Sequence, residues 1–168
     1  TGKTRTVISL CDLLIRGNWV KRILFLADRT ALVNQAEKAF KAHLPDCSPV
    51  NLVTNKAGEG RVFLSTYPTI SNLIDSENKS GQKRFGVGHF DLVIIDEAHR
   101  SIYQKYTSIF DYFDSLLVGL TATPKEEIDR NTYGLFDLDI GMPTDEYGFL
   151  EAVEDKYLNP FKALSVPL

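Results

Sequence analysis

Apolar residues along the chain fall into two kinds of segment, and the two kinds alternate. Short, nearly continuous apolar runs rich in branched side chains are typical of strands that helices cover on both faces of a parallel sheet. Such runs predict strands at residues 22–27, 50–53, 61–66, 91–96 and 116–121. Between them, apolar residues recur at helical spacing and predict helices at residues 4–17, 29–45, 65–74 and 101–113. This repetition predicts an α/β fold with a doubly wound, mostly parallel sheet and helices on both faces.

Two segments depart from this alternation. Residues 76–90 are polar and glycine-rich, which is typical of a surface loop. From about residue 137 the pattern loosens, with three prolines and one short helical stretch at Gly148–Tyr157. We therefore expect one domain over residues 1–140, followed by an exit segment over residues 141–168.

Composition narrows the class of protein. The 168 residues, of which 43% are hydrophobic and 24% charged, suit one globular domain. A net charge of −3 indicates no broad basic surface, so any contact with nucleic acid would be local. No apolar run approaches the ~20 residues of a membrane span. Cys11 and Cys47 form no CxxC pair, which argues against a disulfide framework or zinc site and favours a reducing, intracellular setting. We expect Cys11 in the core and His89 at the surface.

The first four residues, TGKT, precede the first predicted helix. A lone GKT is weak because short tripeptides arise by chance, but Gly2, Lys3 and Thr4 match the last positions of a phosphate-binding P-loop. In that arrangement, backbone N–H groups and the helix N-terminus face phosphates. The Lys3 ammonium neutralises phosphate oxygens, and the Thr4 hydroxyl binds Mg²⁺. We count Thr1 with them as a candidate phosphate-binding residue.

The stretch DLVIIDEAHR places Asp96 and Glu97 at the end of an apolar strand. Ligands bind at the carboxyl edge of open α/β sheets, where one carboxylate can hold Mg²⁺ and its neighbour can reach an attacking water. Two acids in a solvated loop would explain the pair equally well if it stood alone. Phosphoryl transfer, however, needs both a phosphate cradle and a metal-holding acid after a second strand. GKT and DEAH together therefore predict a site for ATP and Mg²⁺, with Thr4 and Asp96 as metal ligands and Glu97 as a catalytic residue.

A third motif, LVGLTATP, ends another apolar strand with Thr121 and Thr123. Thr-Ala-Thr is a common strand end by itself. In a chain where this motif follows GKT and DEAH, the two threonine hydroxyls suit a contact with the acidic loop. Such a contact would report whether the γ-phosphate is present.

GKT, DEAH and TAT in this order resemble the first RecA-like P-loop motor domain of superfamily 2 helicases and translocases. Longer blocks are more specific: FLADRTALVNQA, STYPT, HFDLVIIDEAHRSIYQKY and LLVGLTATPKEEIDRNTYGLF resemble the R (restriction and translocation) subunit of type I restriction–modification enzymes. The resemblance covers nearly the whole chain. It implies a DNA-dependent ATP hydrolase that acts as the duplex DNA translocase of a type I site-specific deoxyribonuclease in the cytoplasm of a bacterium or archaeon.

The resemblance also implies roles for individual residues. Asp96 would coordinate Mg²⁺, Glu97 would polarise the hydrolytic water, and His99 would link the ATP site to the DNA-binding face, with Thr121 and Thr123 in the coupling motif. Two loops would contact the DNA backbone, which positions the strand without reading its sequence; their candidates are Arg29, Thr30, Gln35, Ser65, Thr66 and Tyr67. Simpler alternatives are that Arg29 and Thr30 only begin a helix and that Tyr67 only packs.

Other parts of the family pattern do not occur in these residues. They are the first half of the P-loop, an adenine-recognising segment, the nuclease domain, and the second RecA-like domain with its arginine finger. Such a finger contributes roughly 10³–10⁵ in rate in related phosphoryl-transfer systems. We therefore expect a fragment that binds ATP weakly and hydrolyses it negligibly alone. Its expected partners are double-stranded DNA, the second motor and nuclease domains, and the specificity and methylation subunits, with no membrane.

Two alternatives stay open. One is a DNA-repair or RNA helicase of the same superfamily, because strand separation and translocation use the same motifs. The other is a non-catalytic nucleic-acid-binding lobe, against which the intact Asp96, Glu97 and His99 argue.

Overall fold

A computed structural model describes residues 2–77, 81, 83–97, 103–121, 130–139 and 142–160. Its strands are β1 (Ile23–Ala27), β2 (Val50–Asn51), β3 (Val62–Thr66), β4 (Leu92–Ile95) and β5 (Leu116–Gly119). Its helices are α1 (Lys3–Arg16), α2 (Thr30–His43), α3 (Tyr67–Asp75), α4 (Tyr103–Tyr112), α5 (Arg130–Leu135) and α6 (Phe149–Glu154), with a 3₁₀ turn at Pro45–Cys47. Every strand predicted from the sequence is present, and α5 is an addition to the predicted helices.

The strands form one parallel sheet in the order β2-β3-β1-β4-β5. Alternate residues of a strand point to opposite faces, so each strand contributes to two cores. On one face, Phe25 and its alternates pack with α1 and α2, where Cys11 is fully buried as predicted. On the other face, Leu24 and its alternates pack with α3 and α4. The result is the predicted α/β architecture, with helices on both faces of the sheet.

Strand β5 differs from the expectation of burial on both faces. Leu116 is 60% exposed, and Leu117 and Val118 are only half-buried. The reason is its position: among the described residues β5 pairs with β4 alone, and so lies at an edge of the sheet.

The segment at 76–90 is also less superficial than its composition suggests. Phe85 and Phe90 are 1% and 0% exposed and belong to the core beside α3 and α4. Its aromatic residues therefore anchor it, while Val87 and its flanking glycines remain exposed. None of the described helices is long and apolar enough to cross a membrane.

Candidate functional site

The beginning of α1 has a backbone conformation that favours glycine. Gly2 precedes the helix with φ 102°, in the left-handed region that favours glycine, and nothing lies within 4 Å of a Cβ built there. Its carbonyl accepts the N–H groups of Arg5 and Thr6 at 2.9 and 3.1 Å, which closes the first turn. The preceding N–H groups have no carbonyl partner within a helix, so this end carries partial positive charge and faces solvent beside the exposed Gly2.

Lys3 reaches from this helix end to the acidic loop. Its Nζ lies 2.8 Å from Glu97 Oε1, although the two residues are 94 positions apart in sequence. The Lys3 and Glu97 side chains are 28% and 27% exposed, so the pair is partly shielded yet open to a ligand. The structure thus joins the two motifs whose combination predicted phosphoryl transfer.

The acidic loop is shaped by the end of β4. The Asp96 N–H donates to Leu26 O at 2.9 Å, which extends the ladder with β1 by one residue. The Asp96 side chain then accepts the Glu97 N–H at 3.0 Å. Glu97 has φ 55°, a left-handed conformation that costs a non-glycine residue on the order of 1–3 kcal/mol. The tertiary fold maintains this strained turn, and the turn aims Glu97 at Lys3.

Two threonines of the prediction lie near this edge. Thr4 is the second residue of α1 and is half-buried. The Leu120 N–H donates to Ile95 O at 2.8 Å, so the half-buried Thr121 follows at the same edge of the sheet as Asp96. The remaining predicted residues Thr1, His99 and Thr123 lie outside the described residues.

The donor set fits Mg²⁺ held jointly with a nucleotide. The described residues contain no group of three or more His, Cys, Asp or Glu that could hold a metal by itself. Magnesium is commonly bound by one or two carboxylates together with substrate phosphates, and this arrangement needs only the Asp96 carboxylate and the Thr4 hydroxyl from the protein. The Lys3 ammonium and the N-terminus of α1 place positive charge beside this edge of the sheet.

The first of the two predicted DNA-contacting loops is open to solvent. Arg29, Thr30 and Gln35 are all exposed, and the Arg29 side chain is 70% exposed although its Nε lies 3.6 Å from Asp28 Oδ2. Thr30 begins α2, and neither it nor Arg29 makes a side-chain cap there. These three side chains are therefore available to a polynucleotide.

The second loop requires a correction. Ser65 and Tyr67 are 0% and 2% exposed, and Thr66 is 8% exposed. Ser65 Oγ donates to Thr66 O at 3.0 Å, and Thr66 Oγ1 shares a hydrogen bond with Thr69 Oγ1 at 3.0 Å. Because these side chains lie inside the domain, we assign them packing roles and no longer assign them DNA contacts.

Tyr67 lies near two carboxylates of the carboxyl edge. Burial raises the pKa of the Tyr67 phenol, and the negative charges of Asp28 and Asp96 raise that pKa further. The phenol therefore stays protonated at neutral pH. Sequence reasoning missed Asp28, although it follows a buried strand directly, the signal that identified Asp96.

Comparison with known proteins gives the family. The family described as "Type III restriction enzyme, res subunit" matches residues 1–126. The chain is 34% identical to the EcoAI type I restriction enzyme endonuclease subunit of Escherichia coli, over 100% of this chain and 20% of that protein. It is 31% identical to the EcoKI endonuclease subunit of Escherichia coli strain K12, over 94% of this chain and 15% of that protein. The chain thus spans a fifth or less of the length of these two relatives.

One solved structure supports the fold. The chain resembles a nuclease-deletion mutant of the type ISP restriction-modification enzyme LlaGI, solved in complex with a DNA substrate mimic, with a TM-score of 0.64 and 21% identity. The match covers 93% of this chain and 18% of LlaGI. It confirms the RecA-like fold, and the relatives confirm the resemblance to type I R subunits. The chain belongs to the restriction-enzyme res subunit family, and its residues form a superfamily 2 motor domain like those of type I R subunits.

Proposed function

We propose that this domain is the first motor lobe of an ATP-dependent duplex DNA translocase, in the R subunit of a type I restriction enzyme. The observation that carries the proposal is the 2.8 Å contact between Lys3 Nζ and Glu97 Oε1. It unites a phosphate-binding cation and a potential general base at the carboxyl edge of a parallel sheet, where α/β proteins bind ligands. Residues 1–140 form the lobe in this proposal, and residues 141–168 lead toward a second motor domain.

The residues of the edge divide the work of ATP hydrolysis. Lys3 and the N-terminus of α1 hold the β- and γ-phosphates, while Thr4 and Asp96 hold Mg²⁺. Mg²⁺, when bound, neutralises charge that develops on the phosphate oxygens. Glu97 accepts a proton from the attacking water once Lys3 has turned from its carboxylate to the phosphates. The ion pair is therefore the resting arrangement of both groups.

Contact with DNA belongs to the exposed loop between β1 and α2 and to the first turns of α2. Arg29, Thr30 and Gln35 offer a cation and two hydrogen-bonding groups to backbone phosphates, which suits a motor that moves along DNA without reading sequence. Because the chain carries a net charge of −3, this grip is local and depends on the partner domain to complete it. The proposal also includes the nuclease, specificity and methylation functions of the whole enzyme, a bacterial or archaeal source, and a cytoplasmic location.

The test is ATP turnover by the full-length protein that contains this chain, measured without nucleic acid, with duplex DNA and with RNA. Strong stimulation by duplex DNA alone is the expected result. Turnover that ignores duplex DNA would overturn the translocase proposal, and stimulation by RNA instead would favour an RNA helicase. If duplex DNA stimulates turnover, Arg29→Ala should weaken that stimulation. Lys38→Ala, which removes another exposed cation from the region of α2, is the control and should not.

A further inference from the structure

Tyr67 lies where α3 and α4 meet, and neither the proposed catalytic role nor the proposed DNA contact has been assigned to it. It is the first residue of α3 and follows β3 directly. Its ring stacks on the ring of Tyr106, with centroids 5.6 Å apart and planes inclined by 21°. Tyr106 belongs to α4, the next described helix after the Asp96–Glu97 loop in sequence. The stack therefore links the helix that follows β3 to the helix that follows the acidic loop.

The register of the sheet places Tyr67 beside the loop after β1, which in turn neighbours the acidic loop after β4. Strands β3, β1 and β4 are neighbours, and Ala27 pairs with Thr66, so Asp28 and Tyr67 follow at adjacent positions. Asp96 extends β4 beside β1 through its N–H bond to Leu26 O. The loop that carries Arg29 thus leaves the sheet between the buried Tyr67, which follows β3, and the loop that carries Glu97, which follows β4.

The partner side of the stack has a bend of its own. Tyr106 has φ −123° and ψ 20°, a non-helical conformation that kinks α4. Helices α3 and α4 pack together, and Tyr106 is only half-buried. The kink in α4 therefore lies at the residue whose ring stacks on Tyr67.

We propose that Tyr67 is a positioning residue that couples the DNA-side loop at Asp28–Thr30 to the acidic loop at Asp96–Glu97, through its stack on Tyr106. The inference rests on the proposed function, because it assumes that DNA contact changes ATP turnover. A ring that only filled space would contribute to stability alike with and without DNA. A coupling ring contributes to the ratio of the two turnover rates, and allosteric couplings of this kind typically amount to about 5–150-fold.

The experiment measures that ratio in the full-length protein, for wild type, Tyr67→Phe and Tyr67→Leu. Tyr67→Leu should reduce the stimulation of turnover by duplex DNA about 5-fold or more. Its basal turnover and its affinity for Mg-ATP should stay within about 2-fold, since the side chain is not assigned to the nucleotide site. Tyr67→Phe keeps the aromatic stack and should retain stimulation.

Tyr112→Leu is the matched control. Tyr112 lies on α4, the helix of Tyr106, but its hydroxyl donates to Phe85 O at 2.6 Å near the opposite end of the sheet. Its loss should lower thermal stability without changing the stimulation ratio. If Tyr67→Leu does not fold, Tyr106→Leu removes the half-buried partner of the stack and should give the same loss of stimulation.

The outcomes separate the two proposals. A wild type without stimulation by DNA would overturn the proposed function. A stimulated wild type, with a stimulation ratio unchanged in the folded leucine variant, would overturn the role of Tyr67 alone. Equal loss of basal and stimulated turnover would also overturn it, because it would show a structural role.

Discussion

The two ends of the β-sheet are built on opposite principles. At the carboxyl end, Lys3 and Glu97 form a partly exposed ion pair, and Glu97 keeps a left-handed backbone at a cost in free energy. At the amino end, aromatic rings fill the space, with centroid distances of 4.8 to 5.9 Å among Phe63, Phe85, His89, Phe90 and Phe113.

The comparison shows that residues at the amino end of the sheet stabilise the fold, whereas the carboxyl end gives up stability. Edge-to-face ring pairs stabilise a fold beyond the effect of their buried area. Several ring pairs at the amino end have this geometry. The carboxyl end instead keeps charges half-exposed and a backbone in strain, which a fold tolerates where a ligand is to be bound. Variants at the two ends should therefore separate activity from stability.

Glu97→Gln should produce the largest effect on activity. It removes the carboxylate that accepts the water proton, and general-base catalysis contributes about 10²–10⁴-fold. We expect turnover in the full-length protein to fall by that order while Mg-ATP still binds, because Asp96 and Thr4 remain. Steady-state turnover and a nucleotide-binding titration measure the two quantities.

The same variant should leave thermal stability nearly unchanged, since an ion pair of this exposure contributes little. Glu37→Gln, which removes the partner of Lys41 at 2.6 Å, is the control and should leave turnover intact. Wild-type turnover in Glu97→Gln would show that Glu97 is not the base.

Phe90→Ala should produce the largest effect on stability. Phe90 is fully buried, and its ring contacts Phe63 and Phe113 edge-to-face and Phe85 in a tilted arrangement. Loss of such a ring costs about 3–5 kcal/mol of unfolding free energy, measurable by urea denaturation. Phe149 on α6 is 42% exposed, so Phe149→Ala should lower the unfolding free energy far less. Equal losses in the two variants would contradict the contrast between core and surface.

Asp91→Asn should have a smaller effect at the amino end. The Asp91 carboxylate accepts the N–H groups of Lys21 and Arg22 at 2.7 and 2.9 Å. Burial alone would raise the pKa of Asp91, but these hydrogen bonds and the two positive side chains outweigh it and lower the pKa. The carboxylate therefore stabilises the fold above its unfolded pKa of about 3.9, and that stabilisation is lost as pH falls through the lower folded pKa.

At pH 7 the asparagine variant should lose about 1.5 kcal/mol of unfolding free energy, because an exposed charged acceptor contributes at the low end of its usual range. The difference between wild type and variant should disappear in acid. A difference that persists well below pH 3 in denaturation curves would contradict the charge-based explanation.

His89→Phe should have the smallest effect, and it should appear only in acid. The His89 Nε2 atom is buried without a hydrogen-bond partner among the described residues, which corrects the expectation of a surface histidine. Burial lowers the pKa of His89, the positive charges of Arg22 and Arg84 lower it further, and Asp91 opposes them. The unfolded chain thus takes up the proton first, so stability falls as pH drops below the unfolded pKa of about 6.5.

The phenylalanine variant cannot take up this proton. Melting temperatures of wild type and variant should therefore be similar at pH 7.5, and the variant should melt higher at pH 5. A parallel pH dependence in both proteins would exclude His89 as the titrating group.

The sequence by itself determined the local elements and predicted the chemistry of the site. Strand β4 reads as an apolar run and α2 as an apolar stripe because their periods are local, and both formed where the pattern predicted them. GKT and DEAH predicted one site because parallel strands bring their carboxyl ends to a single edge, and the Lys3–Glu97 contact agrees with that reasoning.

Only the tertiary structure decided which side chains reach that edge. Ser65 and Tyr67 lie in the motif STYPT, which the sequence predicts as a DNA-contacting loop. Strand order and helix packing nevertheless bury both side chains. Likewise, β5 resembles β4 in composition but lies at the border of the described sheet, and His89 sits among aromatic rings within a polar segment. Periodicity carries no information about strand order or about which elements meet, because both depend on contacts between residues distant in sequence.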